Sequence, residues 1–201
     1  METKHPFTIT TKSDRVVRDL DIIGPAARLG IAAVAISVTS LDPKVHRTLE
    51  PRAPAPRKRL AAIRVLSDAG VPTFASIAPV IPQVTDHELE ALVEAAAEAG
   101  AHGATFLPVR LPNEVARLFR AWLDQHYPDR AAKVMATIQS IRGGRDNDPN
   151  FFTRMRGQGP WSELMRTRFD IACRKHNLPR LKIPLRRDLF EPPQGDQLRL
   201  L

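Results

Sequence analysis

The feature that most restricts the fold is a run of six apolar residues at positions 31–36, in which polar and apolar positions do not alternate. A strand that is apolar on both faces is covered on both faces, as in a parallel sheet between helices. Small hydroxyl residues follow at its carboxyl end, namely Ser37, Thr39 and Ser40. Ligand sites of parallel α/β sheets lie at this end because the loops after the strands converge there. We therefore expect the functional site to lie there.

Three further segments predict strands, at positions 7–11, 72–80 and 104–109. Between neighbouring strands lie segments with helical periodicity that begin near Ser13, Pro56 and Thr85. Crossovers of this length join parallel strands, so residues 1–110 read as β-α-β-α-β-α-β. After residue 110 the pattern changes to helices, with a Gly-rich basic loop and an irregular tail. The predicted fold class is α/β, with about four parallel strands over 1–110 and a helical extension over 111–201.

Two local patterns bear on the site. The segment 41–54 is long and charged, and we interpret it as a loop at the end of the central strand, where such loops are commonly functional. Thr85 and Glu88 have the spacing of a capping box, which predicts that their side chains close the first turn of the third helix.

The composition excludes several classes of protein. Of the 201 residues, 43% are hydrophobic, which is enough for a core, yet no apolar stretch is long enough to span a membrane. The single cysteine, Cys173, cannot form an internal disulfide and indicates a reducing, cytoplasmic compartment. It also excludes a metal site built from several cysteines of this chain, and the histidines show no metal-ligand spacing, so no metal ligands are predicted.

Positive charge is concentrated near the carboxyl terminus. Residues 142–201 hold 13 lysines and arginines against 7 acidic residues, whereas the first 141 residues hold 17 against 15. Aromatic residues are interleaved with these basic residues, a pattern that suits a nucleic-acid backbone and its bases. Arg154 and Arg156 are the candidate nucleic-acid contacts. The alternative is a solvated basic face with ordinary core aromatics.

Three segments of the first half carry a family resemblance: TTKSDRVVRDLDII, AISVTSLDPKVHRTLEPRAPAPRKRLAAIRVLSDAGV and IAPVIPQVTDHELEALVEAAAEAGA. Four later segments continue it in the same order: FLPVRLPNEV, LDQHYPDRAAKVMATIQSIRGG, FTRMRGQGPWSELMRTRFDIACRKHNL and QGDQLRLL. Together they resemble the radical S-adenosylmethionine (SAM) proteins related to spore photoproduct lyase, and most of all an uncharacterised bacterial branch described as DNA repair photolyase-like.

The resemblance implies a partial (β/α)6 barrel that holds a [4Fe-4S] cluster and SAM. In that family three cysteines spaced CxxxCxxC follow the first strand, and this motif is absent from the sequence. Residue 1 aligns just before the family's third strand, and the predicted strand at 7–11 has an open edge of the kind that is normally covered. We therefore expect this chain to be the C-terminal part of such a protein, with a preceding segment or a partner chain supplying the cysteines.

The resemblance also implies roles for four residues. Lys12, in the family's TK motif, would contact the SAM carboxylate; the alternative is a solvated lysine at a strand end. Ser37 would contact the amino-acid or ribose portion, and Thr39 is a weaker candidate on the same side of the strand. Arg52 forms an acidic–basic pair with Glu50, which would either orient cofactor or substrate or pin the loop by an ion pair.

Two functions follow. In the first, the chain is the C-terminal portion of a radical SAM enzyme that cleaves SAM reductively to start radical chemistry, and by itself it is inactive. In the second, it is a non-catalytic module that binds DNA through its basic C-terminal part. Neither involves a membrane.

Overall fold

The computed structural model describes residues 3–193, and the segment QGDQLRLL at 194–201 lies outside the described residues. Within this range the strands are β1 (Phe7–Thr11), β2 (Ala32–Ser37), β3 (Thr73–Val80) and β4 (Gly103–Pro108). The α-helices are α1 (Leu20–Arg28), α2 (Pro43–Leu49), α3 (Pro56–Asp68), α4 (Leu89–Glu98), α5 (Val115–His126), α6 (Ala131–Ser140) and α7 (Gly159–Lys175). Short 3-10 helices lie at Asp14–Asp19, Asp86–Glu88 and Pro128–Arg130.

The four strands form one sheet in the order β1-β2-β3-β4, and every neighbouring pair is parallel. The predicted α/β class with four parallel strands is therefore confirmed. β2 is buried along its whole length, as its unbroken apolar run predicts. Because all four strands are parallel, their carboxyl ends lie along one edge of the sheet.

One face of the sheet packs against the helices. Val34 and Ile36 of β2 point to this face and share a core with Ile63 and Leu66 of α3. Residues of α1, α4 and α7 complete the same core. Because helix α7 belongs to this core, it packs beside α4 and β4 although it comes late in the chain. The proposed division of the chain at residue 110 stays a prediction.

The opposite face is covered by the chain after α7, and we call it the tail face. Ala33 and Ala35 of β2 point to this face, where they pack with Leu181, Ile183 and Leu185. The tail also pairs with the outer edge of β4: the Ala104 amide donates to the Pro179 carbonyl at 2.9 Å, and the Leu181 amide donates to the Ala104 carbonyl at 2.7 Å. The tail has no regular secondary structure, as predicted, yet it covers an apolar part of the sheet.

The segment 41–54 differs from the prediction of a loop, because it contains helix α2. Asp42 caps this helix by accepting a hydrogen bond from the Lys44 amide at 2.7 Å, and Pro43 occupies the first turn, where its missing N–H costs nothing. Val45 is buried in a second apolar cluster formed mainly by α5 and α6. The many charged residues of this segment led to the prediction of a loop, although they belong in part to a short amphipathic helix.

Within residues 3–193 no helix is both long enough and apolar enough to cross a bilayer.

Candidate functional site

The ends of β1 and β2 bring two of the predicted residues together. Thr11 is paired with Ile36, so the next residue of each strand, Lys12 and Ser37, lie level at the carboxyl edge of the sheet. Lys12 Nζ donates to Glu50 Oε1, and Thr39 Oγ1 lies 2.8 Å from the same oxygen. Lys12 and Thr39 therefore meet at one carboxylate, a contact that the sequence did not predict.

Glu50 is the centre of this arrangement. Its second oxygen, Oε2, accepts a hydrogen bond from Arg59 Nη2 at 2.6 Å, and the Glu50 side chain is 10% exposed. Burial raises the pKa of Glu50, but hydrogen bonds from Lys12 and Arg59 outweigh it and hold the pKa below its ordinary value. Glu50 is thus an anion at neutral pH with both oxygens engaged.

Arg59 is the functional residue that sequence reasoning missed. It lies on α3 and is 1% exposed, which is rare for an arginine unless it is paired. Besides Glu50, it donates to the Ser37 carbonyl at 3.1 Å and to the Pro54 carbonyl at 2.8 Å. It therefore ties the end of β2, the chain after α2 and the start of α3 into one unit. In the sequence Arg59 is one of several arginines close together, and nothing distinguishes it from its neighbours, which are exposed.

The structure changes the interpretation of Arg52. An ion pair does pin the segment after α2, but Glu50 makes it with Lys12 and Arg59, and Arg52 is exposed. The alternative of a Glu50–Arg52 ion pair is therefore wrong. The physical reason is that Arg59, one turn into α3, reaches the buried carboxylate from the core side.

Arg52 instead lines a cavity of about 780 Å³ at the carboxyl end of β1, together with Lys12. The charged residues around this cavity are Lys12, Asp14, Arg15, Arg52 and Lys58. Four of the five are cationic, and although Lys12 is paired with Glu50, the other three cations form no ion pair within residues 3–193, so the cavity favours an anion. Among the residues that line the cavity, Lys12 lies level with Ser37 at the ends of β1 and β2.

Hydroxyl groups cross the tail face beside this cavity. Ser37 of β2 is paired with Ser76 of β3, which is paired with Thr105 of β4. Residues paired in register point to the same face of a sheet, so the three hydroxyls form a row. Ser37 is buried, and no side-chain hydrogen bond of Ser37 or Ser76 is found within residues 3–193. The row therefore offers hydrogen bonds to a ligand at the carboxyl end of the strands.

Thr39 is less available. It is 3% exposed, and its hydroxyl lies 2.8 Å from Glu50 Oε1 and 3.0 Å from the Ala78 carbonyl. A hydroxyl has one proton to donate, and both of these acceptors belong to the protein. The geometry gives Thr39 a part in holding Glu50.

The predicted capping box at Thr85 and Glu88 is wrong. Thr85 Oγ1 accepts from the upstream Ile81 amide at 2.8 Å, and no side chain caps the 3-10 helix that follows. Glu88 is buried and reaches across to the end of β2, where it accepts from Ser40 Oγ and from the Leu41 amide, each at 2.6 Å. The tertiary contact wins because it satisfies two donors at the turn that leads into α2.

The described residues do not fit an iron–sulfur cluster. Within residues 3–193 no three His, Cys, Asp or Glu side chains are grouped closely enough to hold a metal ion. Cys173 lies on α7 inside the main core, and burial raises the pKa of its thiol to about 11. Cluster ligands are thiolates, and a buried thiol with such a pKa stays protonated at neutral pH.

The two arginines predicted to contact nucleic acid lie in the loop before α7 and differ in exposure. Arg154 is half-buried, with its guanidinium 4.8 Å from the centre of the Phe151 ring, and Arg156 is exposed. Arg142 is buried beneath this loop and stabilises it by donating a hydrogen bond to the Arg154 carbonyl at 2.6 Å. Phe151 and Phe152 are 70% and 82% exposed, which is unusual for phenylalanine.

The segment that contains the ends of β1 and β2 has counterparts among known proteins. Residues 1–96 match the family model of the radical SAM superfamily. This part of the chain is a radical SAM superfamily domain. The matched range contains Lys12, Ser37, Glu50 and Arg59, and it ends within α4. Radical SAM proteins generally bind SAM and a [4Fe-4S] cluster.

Proteins similar to this chain occur in bacteria, archaea and a virus, and the three that follow are uncharacterized proteins. One from Mycobacterium tuberculosis is 35% identical over 130 residues, which is 64% of this chain and 38% of that protein. One from Methanocaldococcus jannaschii is 26% identical over 129 residues, 64% of this chain and 47% of that protein. One from Acidianus two-tailed virus is 29% identical over 99 residues, 47% of this chain and 32% of that protein. The chain thus spans about a third to a half of the relatives it matches.

Proposed function

We propose that this chain is the C-terminal, SAM-holding portion of a radical SAM enzyme of the spore photoproduct lyase-like branch. The observation that carries the proposal is the cationic cavity at the carboxyl end of β1, which Lys12 and Arg52 share and beside which Ser37 lies. The radical SAM match over residues 1–96 supports the class of chemistry. The relation to spore photoproduct lyase rests on the resemblance of the sequence.

The residues of the site suit the parts of SAM. Its α-carboxylate would lie in the cationic cavity, where Lys12 and Arg52 give charge-assisted hydrogen bonds. The Ser37 hydroxyl, without a protein partner among the described residues, would take the amino-acid or ribose portion. Glu50 and Arg59 would hold Lys12 at the cavity without touching the ligand. When bound to a complete enzyme, SAM supplies the 5′-deoxyadenosyl group for radical chemistry.

The thiolates for a cluster would come from polypeptide outside this sequence, either a connected segment or a partner chain. The proposal is supported by the count of one cysteine in 201 residues and by the burial of that residue. Anaerobic reconstitution of the full 201-residue chain with iron and sulfide tests it. We expect less than a stoichiometric amount of bound [4Fe-4S] and no reductive cleavage of SAM. A stoichiometric cluster with its visible absorption would contradict the proposal.

Ligand binding tests the SAM site itself. Calorimetry with the full chain would compare SAM with 5′-methylthioadenosine, which lacks the amino-acid portion. Arg52→Gln should weaken SAM binding about tenfold, as expected for one charge-assisted hydrogen bond, and should leave binding of 5′-methylthioadenosine unchanged. Arg47→Gln, an exposed position on α2 outside the cavity lining, is the matched control. Equal weakening of both ligands, or an effect of Arg47→Gln as large as that of Arg52→Gln, would exclude a carboxylate site at Arg52.

A second candidate function is nucleic-acid binding by the loop before α7, with DNA as the partner. It is favoured by the exposed pair Phe151 and Phe152 next to Arg154, since aromatic rings stack on bases while arginines meet phosphates. Replacing Arg154 and Arg156 with alanine should weaken binding equally across DNA sequences and reduce the dependence of affinity on salt. Fluorescence anisotropy over a salt series measures both. A salt dependence that the double replacement leaves unchanged would remove these arginines from the interface.

A further inference from the structure

A second cavity, of about 720 Å³, lies on the far side of the sheet at the outer edge of β4. It is separate from the cavity at Lys12, with which it shares no lining residue. Its walls are β4 from Ala104 to Pro108, the loop before α7, α7 itself and the start of the tail. Its volume is in the range of small-molecule sites in proteins.

The lining of this cavity is strongly basic. Arg156, Arg166 and Arg180 contribute to it, and no acidic residue does so. Arg180 is neutralised by Asp170, to which it donates two hydrogen bonds of 2.7 and 2.6 Å. Arg156 and Arg166 form no ion pair within residues 3–193. Two guanidinium groups thus face the cavity without compensation by a carboxylate.

The edge of β4 adds a backbone donor. Alternate residues of a strand point their backbone N–H and C=O groups to the same side, so those of Ala104 and Phe106 and the carbonyl of Pro108 lie on the outer edge. Ala104 is paired with the tail, and the Pro108 carbonyl accepts from Arg142 at 3.2 Å. Phe106, between them, lines the cavity, and no described residue pairs with its amide on that side. The tail leaves the edge after residue 181 to cross the tail face, which is why Phe106 stays open.

We propose that this cavity binds the phosphate group of a small phosphorylated molecule. Two guanidinium groups and a strand-edge amide provide charge and directed hydrogen bonds, the combination that phosphate oxygens require. The Thr105 hydroxyl lines the same cavity and belongs to the row that leads to Ser37. A ligand held by its phosphate at Arg156 and Arg166 would therefore extend along the row toward the cavity at Lys12. The inference is independent of the SAM site, because it uses no residue of that site.

Titration of the full chain with inorganic pyrophosphate and with adenosine 5′-monophosphate, followed by calorimetry, tests the proposal. Arg156→Gln and Arg166→Gln should each weaken binding about tenfold, the effect of losing one charge-assisted hydrogen bond. Arg117→Gln removes the same charge from an exposed position on α5 outside the lining and should leave the affinity unchanged. In amide NMR spectra, pyrophosphate should shift the Phe106 resonance of the parent chain, and either cavity variant should need about tenfold more pyrophosphate for the same shift.

Three results would overturn the proposal. If Arg117→Gln weakens binding as much as the cavity variants, the effect is the general positive charge of the chain. If the Phe106 amide does not respond to pyrophosphate, the ligand lies elsewhere. If a short single-stranded oligonucleotide binds through Arg156 and Arg166 while pyrophosphate and adenosine 5′-monophosphate do not bind, the surface serves a nucleic-acid strand. Binding of SAM should be the same in all these variants, so failure here is distinguishable from failure of the SAM site.

Discussion

Arg59 and Glu50 form a buried ion pair, with 2.6 Å between Nη2 of the arginine and Oε2 of the carboxylate. Removing a charge from water costs several kcal/mol, and the pair persists because each guanidinium nitrogen of Arg59 and both carboxylate oxygens of Glu50 form a hydrogen bond. Arg59 also holds two backbone carbonyls, while Glu50 also holds Lys12 and Thr39. The pair connects α3 to the ends of β1 and β2, and so fixes the position of the candidate SAM-binding residues Lys12 and Ser37.

Breaking the pair from one side should be costly. Glu50→Gln leaves the Arg59 charge buried without a counter-ion, and we expect a loss of about 3 kcal/mol in the free energy of unfolding. Glu90→Gln breaks the Arg168–Glu90 pair, whose carboxylate is half exposed, and should cost no more than about 1 kcal/mol. Urea unfolding followed by circular dichroism measures both. Similar losses for the two variants would show that Arg59 is not effectively buried.

The contribution of Glu50 should depend on pH in a defined direction. Its pKa in the folded protein lies below the ordinary value of 4.5, so the folded state favours the ionised form. The difference in stability between the parent chain and Glu50→Gln should therefore be constant above about pH 5.5 and shrink as the pH falls below 4.5. Unfolding curves at several pH values between about 3 and 7 would show this decrease, because protonation of Glu50 is linked to the free energy of unfolding. A difference that grows on acidification would mean that the pKa is raised.

Glu88 should control the turn that follows β2. Glu88→Ala removes the acceptor of the Ser40 hydroxyl and the Leu41 amide, and we expect a loss of about 1–3 kcal/mol in stability. Hydrogen exchange of the Leu41 amide should become faster, because its bond to the carboxylate is gone. Glu98→Ala, at an exposed position of α4, serves as the control and should change neither quantity. Unchanged exchange at Leu41 in Glu88→Ala would exclude this role.

Cys173 should react slowly with thiol reagents in the native protein. The thiol is buried, and its pKa of about 11 leaves almost no thiolate at about pH 7.5, a usual pH for thiol labelling. Labelling with a chromogenic disulfide reagent should be slow in buffer and complete in urea. Leu164→Cys in a Cys173→Ala background places a thiol at an exposed position of the same helix and should react at once. Equal rates at the two positions would contradict the burial of Cys173.

The sequence predicted the sheet well because its signals are local. The unbroken apolar run at 31–36 became the fully buried strand β2, and the β-branched segment at 7–11 became β1. It predicted less well where a polar side chain finds a partner far along the chain. Glu88 was interpreted as part of a local cap, yet its partners are Ser40 and Leu41, more than 45 residues earlier.

Ion pairs are still harder to predict from the sequence, because the spacing of residues does not determine which cation reaches a carboxylate. Glu50 has Arg47, Arg52 and Arg59 nearby in sequence, and only the last lies on the core side of its helix. The apolar face of α5 is a further example, since Phe119 and Leu123 are buried while Val115 and Leu118 are exposed. Periodicity gives the direction of a face, and its width depends on what packs against it.

The pairing of the tail with β4 makes the two margins of the sheet unequal. At β4 the chain itself occupies the margin near Ala104, and Arg142 occupies it near Pro108. Among the described residues β1 pairs with β2 alone, so the backbone N–H and C=O groups of its alternate residues stay unpaired along the outer margin. Enlargement of this sheet by added strands therefore has one direction. A strand that pairs with Phe7–Thr11 would lie next to Lys12, and if it pairs in the parallel sense of the other strands, the loop after it would lie on the same side as the candidate SAM-binding residues.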